Sequence, residues 1–78
     1  PGAKIVIAAG RSQGLEPADL IGAIVDHSGL DGEDVRNVRV LDRFSLAEVP
    51  VDRADEVIRQ VAGRQVRGVS LRVEAAGR

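Results

Sequence analysis

The 78 residues predict an α+β fold in which a four-stranded antiparallel sheet carries two helices on one face. Three observations lead there. Apolar residues recur at three- and four-residue spacings in two segments, they alternate with polar ones in most of the others, and the segments follow in the order β-α-β-β-α-β.

Each element has its own signal. KIVIAAG (4–10) is a short apolar run ending in glycine, which reads as a buried strand. RSQGLE is a polar loop turning at Gly14. Pro17 occupies the favoured first position of a helix, and Leu20, Ile21, Ile24 and Val25 line one side of it. Gly29 suits the left-handed residue that ends such a helix, with Leu30 as the apolar contact beyond. Gly22, inside the helix, costs about 1 kcal/mol relative to Ala and predicts a close approach of helix to sheet. After the loop DGEDVRN, the strand VRVLD (38–42) alternates Val38 and Val40 with Arg39 and Leu41. A further strand, 44–49, sets Phe44, Leu46 and Glu48 on one side and Ser45, Ala47 and Val49 on the other. Pro50 ends it, Asp52 is placed to cap a second helix, and Ala54, Val57, Ile58 and Val61 form that helix's apolar face. Asp55 and Arg59 are spaced to pair, and Gly63 stops the helix. The last strand, within VRGVSLRVEAA (66–76), alternates Val69, Leu71 and Val73 inward with Ser70, Arg72 and Glu74 outward.

Composition narrows the function classes. There is no cysteine, so no disulfide or thiolate metal site, and the single His27 cannot build a zinc site without several carboxylates. No apolar run approaches the roughly 20 residues of a membrane span, and no signal-peptide pattern is present. We therefore expect no membrane partner and a cytoplasmic location. The chain is read as one domain, 1–78, and its opening Pro1-Gly2 as the start of a C-terminal fragment cut from a larger protein. Net charge is −1, but it is polarised. Residues 16–34 hold Glu16, Asp19, Asp26, Asp31, Glu33 and Asp34 with no Lys or Arg, whereas 59–73 hold Arg59, Arg64, Arg67 and Arg72 with no acid. All but one of the eleven basic residues are arginine, whose planar fork suits phosphate and whose flat face suits stacking.

The βαββαβ order with two helices of this length is the ferredoxin-like pattern, which leaves one face of the sheet uncovered. Alternation assigns Lys4, Val6, Ala8, Arg39, Leu41, Phe44, Leu46, Ser70 and Arg72 to that face. Phe44, the chain's only aromatic residue, belongs there because Ser45, Ala47 and Val49 fill the side toward the helices. DRFSLAEV (42–49) overlies the third-strand octapeptide of the RNA-recognition motif, K/R-G-F/Y-G/A-F-V-x-F/Y, with Phe44 as its one outright match. Two other ferredoxin-like families fit less well. GRSQG (10–14) and VRN (35–37) resemble acylphosphatase, but Glu16 and Asp19 stand where that chemistry needs an arginine to clamp phosphate. A small-molecule regulatory domain of the ACT type requires a glycine-rich interface loop, of which Gly10 and Gly14 are a poor version. No catalytic residues are expected.

Four segments together, GLEPADLIGAI (14–24), GLDGEDV (29–35), DRFSLAEVP (42–50) and RGVSLRVEAA (67–76), resemble the DbpA-type RNA-binding domain. That domain follows the ATPase core of some bacterial DEAD-box RNA helicases. The resemblance implies an RNA-recognition-motif fold, structured and possibly ribosomal RNA as ligand, and a helicase core elsewhere in the same chain. By the same resemblance, ATP and magnesium would be cofactors of that core, and the domain itself would need none. Where the family carries rings, near Val6 and Leu46, this chain has aliphatic residues. Lys4, Arg11, Gln13, Arg39, Arg43, Phe44, Leu46, Arg67 and Arg72 are the expected RNA-contacting residues, while Arg36 and Arg64 read as solvated charges. The second reading is a protein-interaction module that docks or self-associates through Val6, Leu41, Phe44 and Leu46.

Overall fold

Strand β1 (Gly2–Ile7) lies at the centre of the sheet in the computed structural model, which describes residues 1–77. It runs antiparallel to β3 (Ser45–Pro50) and to the closing strand β6 (Val73–Ala75), and β2 (Arg36–Val40) flanks β3. The spatial order is β2-β3-β1-β6, and helices α1 (Pro17–Ser28) and α2 (Ala54–Val61) cover one face. This is the ferredoxin-like arrangement expected from the sequence.

Between the sheet and those helices lies a core of Ile, Leu, Val and Ala. Ile5, Ile7, Ala47, Val49, Val40 and Val73 come from the sheet, Leu20, Ala23, Ile24, Val57 and Val61 from the helices. Full burial of each Val, Leu or Ile side chain stabilises by about 1.5–3 kcal/mol, and no ring is needed to fill the space. Among the described residues, Ser45 is the one polar side chain buried completely, and its hydroxyl donates to the Ala9 carbonyl at 2.7 Å. That bond ties β3 to the chain leaving β1, so a polar group in the core costs no unmet hydrogen bond.

Helix α1 starts and stops where the sequence says. Pro17 is its first residue, the Glu16 amide donates to the Asp19 carboxylate at 2.9 Å, and Gly29 closes it at φ 78°. Gly22 does not mark a close approach, because a Cβ built there meets no heavy atom within 4 Å. Helix α2 departs from expectation at both of its proposed polar contacts. A 3-10 turn (Val51–Arg53) leads into it, so Asp52 is not its cap. The guanidinium of Arg53 instead contacts the Glu56 carboxylate at 2.6 Å and donates to Ser28 O at 3.1 Å, which joins the two helices. Among the described residues, Asp55 and Arg59 form no ion pair.

The expected strand over 66–76 is two structures. A hairpin of β4 (Gln65–Val66) and β5 (Val69–Ser70) turns through Arg67 and Gly68, both at positive φ, and β6 begins only at Val73. Two central residues in left-handed conformation are what a two-residue hairpin turn requires. Inward alternation nevertheless holds, since Leu71 and Val73 are buried and Val69 packs on the core. Ser70 belongs to the hairpin and not to the main sheet, which corrects its assignment to the open face.

Candidate nucleic-acid interface

The uncovered face is built as rows of side chains running across the strands. Lys4 stands opposite Glu48, and Glu48 opposite Arg36. In the next row Glu74, Val6, Leu46 and Arg39 lie side by side. One step further, the Ala8 amide bonds to Arg72 O at 2.9 Å, and Phe44 follows the Ile7–Ser45 pair on the other side of β1. Phe44 is 43% exposed, whereas its chain neighbour Ser45 is buried completely. The single ring is thus presented outward, at one end of an apolar strip containing Val6 and Leu46.

Two loops build the end of the face around that ring. After Ile7 the chain bends away and enters a 3-10 turn, Arg11–Gln13. Amides of Arg11 and Ser12 donate to the carbonyls of Leu41 and Asp42 at 2.8 and 2.9 Å, which docks this turn on the β2–β3 connection. Gly10 permits the contact: a Cβ there would sit 2.6 Å from Asp42 O and closer still to Leu41 O. Backbone atoms cannot swing aside, so only glycine fits. The result gathers Arg11, Arg43, Phe44 and Arg72 at one end of the sheet.

Their freedom differs. Arg11 Nη2 donates to Val40 O at 2.7 Å, which leaves the rest of its guanidinium at the surface. Gln13 spends its side-chain oxygen on the Gly10 amide at 3.2 Å and so braces the loop. Arg39, Arg43, Arg72 and Lys4 are exposed, and among the described residues they form no ion pair. Arg67 lies elsewhere. At the tip of the β4–β5 hairpin, its Nε contacts the Asp19 carboxylate at 2.8 Å, beside the start of α1. Hydrogen bonds from Arg67 and from the Glu16 amide hold the Asp19 carboxyl below its ordinary range. Arg67, an expected RNA contact, thus lies with Ser70 on the hairpin and away from the open face. Arg36 and Arg64 each donate to a nearby carbonyl, of Glu33 and Gln60 respectively.

Sequence reasoning missed Asn37 on this face, and it set Glu48 and Glu74 on the outward side without naming either as a site residue. Asn37, at φ 51°, forms a bulge that shifts the register between Arg36–Glu48 and Arg39–Leu46. Asparagine tolerates the left-handed region better than most residues, which was the available signal. Glu48 shares the alternation of Phe44 and Leu46 and so faces outward with them. Together with Lys4, Arg39, Leu46 and Ala47 these two line a depression of about 270 Å³ on the open face. Among the described residues, no helix is long and apolar enough to cross a membrane, and no three His, Asp or Glu side chains converge as a metal site would require.

Comparison with known proteins agrees with this geometry. The family model described as the DbpA RNA binding domain matches residues 4–75. An uncharacterized protein of Treponema pallidum (strain Nichols) is 28% identical over 75 residues, which cover 96% of this chain and 33% of that protein. The chain thus spans about a third of the length of the curated relative it matches.

Proposed function

The chain belongs to the family of DbpA RNA-binding domains, and we propose that it is an auxiliary module holding a DEAD-box RNA helicase core on structured RNA. Tethering raises the effective concentration of RNA at a linked core without adding chemistry. An ATP-dependent parent, a ribosomal RNA target and a cytoplasmic location all belong to this reading. The observation that carries it is Phe44, an exposed ring on the uncovered sheet face with Arg72, Arg43 and Arg11 at the same end. Unpaired bases stack on such rings while arginines meet the phosphates. Glu48 and Glu74 share the face, so the field is mixed and binding should be modest.

The test is titration of the 78-residue chain with structured RNA and with duplex DNA of matched length. RNA should bind more tightly, with log affinity falling against log salt at a slope of about −2 to −4. Reversing Arg39 and Arg72 together to Glu should abolish binding and leave the thermal midpoint nearly unchanged, because surface substitutions seldom exceed about 0.5 kcal/mol. Reversing Arg36 and Arg64 should matter less. Absence of RNA binding at low salt overturns this reading. It would favour the second one, in which Val6, Leu41, Phe44 and Leu46 dock on a protein surface or on another copy of the chain.

A further inference from the structure

We propose that the open face of the sheet closes on the same face of a second copy, about a two-fold axis parallel to the strands and midway between β1 and β3. This goes beyond both readings above, because it assigns a symmetry and a set of charge pairs. It holds whether or not the face also meets RNA.

Within one copy the rows of this face are unfinished. Glu74 on β6 and Arg39 on β2 end the middle row, with Val6 and Leu46 between them. Three strand spacings separate the two charges, about 14 Å, so they cannot pair in one chain. Both are exposed, and among the described residues neither forms an ion pair. In the next row Lys4 and Glu48 stand opposite each other, again without an ion pair, and the Glu48 carboxylate lies toward Gly2 on this same face. Carboxylates here oppose the phosphates of a nucleic acid, so that ligand leaves Glu48 and Glu74 unexplained.

The two-fold supplies what each row lacks. It sets β1 over β3 and β6 over β2 of the second copy, so row neighbours in one chain become facing residues across the interface. Glu74 then faces Arg39 of the second copy at both edges of the middle row, and Val6 faces Leu46 at its centre. Lys4 faces Glu48. One step past the Ile7–Ser45 pair, exposed Ala8 receives Phe44, a small side chain opposite the large one. An axis perpendicular to the strands would instead set Glu74 against Glu74 and Arg39 against Arg39, and facing like charges cost affinity. Sheets packed face to face keep their strands within about 30° of each other, as the proposed axis allows.

Size decides how long such a dimer lasts. Four strands about 4.8 Å apart, each contributing about five residues at about 3.3 Å, make a face of roughly 300 Å². A stable complex covers about 800 Å² on each partner. The dimer is therefore transient. Its charge pairs set the register, while Val6, Leu46 and Phe44 supply the apolar contact. At high protein concentration it covers the ring and Arg39, and dilution frees them.

Sedimentation equilibrium of the 78-residue chain in low salt, at concentrations up to about 1 mM, tests this. The average mass should rise with concentration from one chain toward two and stop there, because a two-fold interface closes on itself. Arg39→Glu and Glu74→Arg should each weaken association at least about tenfold, since either change turns two attractive pairs into two repulsive ones. Two further arms restore the pairs. The double variant Arg39→Glu/Glu74→Arg should dimerise as the parent does, and an equal mixture of the two single variants should form a mixed dimer. Melting curves of the single variants should match the parent's, because both positions are exposed. A chain that stays monomeric throughout, growth past two chains, a dimer indifferent to either reversal, or a loss that neither arm restores overturns the inference. No arm contains RNA, so failure here leaves the RNA reading standing.

Discussion

The two faces of the sheet are made by the same strands and differ in almost everything else. Toward the helices stand Ile5, Ile7, Ala47, Val49 and the fully hydrogen-bonded Ser45, all sealed from water. On the opposite side the same strands present Lys4, Val6, Leu46 and Glu48, with exposed Phe44 just before β3. Side chains alternate across a strand, so a shift of one residue would exchange the two sets entirely. The closed face has no ring, and the chain's only ring lies on the open one. A small domain that could stabilise itself by burying an aromatic residue leaves that residue in water, and an exposed ring beside arginines is useful mainly to a ligand. Stability and recognition therefore lie on opposite sides of one sheet and should respond separately to substitution.

The largest effect should come from the closed face. Ile5→Ala removes a side chain with no solvent exposure at the centre of the sheet. It should cost about 2–5 kcal/mol, a large share of the stability of a domain this small. Chemical denaturation followed by circular dichroism measures it, and a loss below about 1 kcal/mol would mean that the core readily collapses to fill the space.

Phe44→Ala tests the other side. The expected loss is about 1–3 kcal/mol of RNA affinity, with melting nearly unchanged because the ring is already 43% exposed. A collapsed melting curve would mean that the ring supports the fold. A folded variant with unaltered RNA affinity would transfer the ring to a protein partner.

Gly22→Ala should touch neither face. Nothing lies within 4 Å of the added carbon, so the substitution relieves the cost of glycine in a helix and should stabilise by about 1 kcal/mol. Its RNA affinity should equal the parent's. A rise in binding would show that α1 takes part in recognition.

The smallest effect depends on pH. Asp19 is held below its ordinary range chiefly by the hydrogen bond from Arg67, so its ionised form favours the folded state. That contribution is complete above the ordinary carboxylate range and is lost as pH falls through the lowered folded-state value. Asp19→Asn should therefore lower the thermal midpoint slightly at neutral pH, and the two melting curves should converge in acid. Arg53 lowers Glu56 in the same sense, so the parent retains some acid sensitivity after that change. A gap between the variants that persists in acid would assign the effect to something other than ionisation.

How much of this was legible depends on how local each signal is. Helix α1 runs from Pro17 to Gly29 as its cap residues specify, because proline and glycine act through their own backbone angles. The outward position of Phe44 follows from the small residues alternating with it, a two-residue pattern that needs no knowledge of neighbours. Asp52 and Asp55 failed as a cap and a pair because the chain enters α2 through a 3-10 turn and Arg53 selects Glu56. An exposed side chain has several reachable partners of similar energy, and sequence spacing does not choose among them.

By itself, then, the sequence determined the order of the elements, the inward and outward sets of the strands, and the family whose segments it shares. These depend on periodicity and on residues with unusual backbone freedom. Only the tertiary structure decided that 66–76 divides into a hairpin and a three-residue strand, since an alternating apolar run satisfies either arrangement equally. The docking of the Arg11–Gln13 turn on Leu41 and Asp42, the capture of Arg67 by Asp19, and the bulge that brings Asn37 beside Glu48 were decided there as well. Each joins residues far apart along the chain, and the balance among such contacts is struck only once the sheet has closed and set their distances.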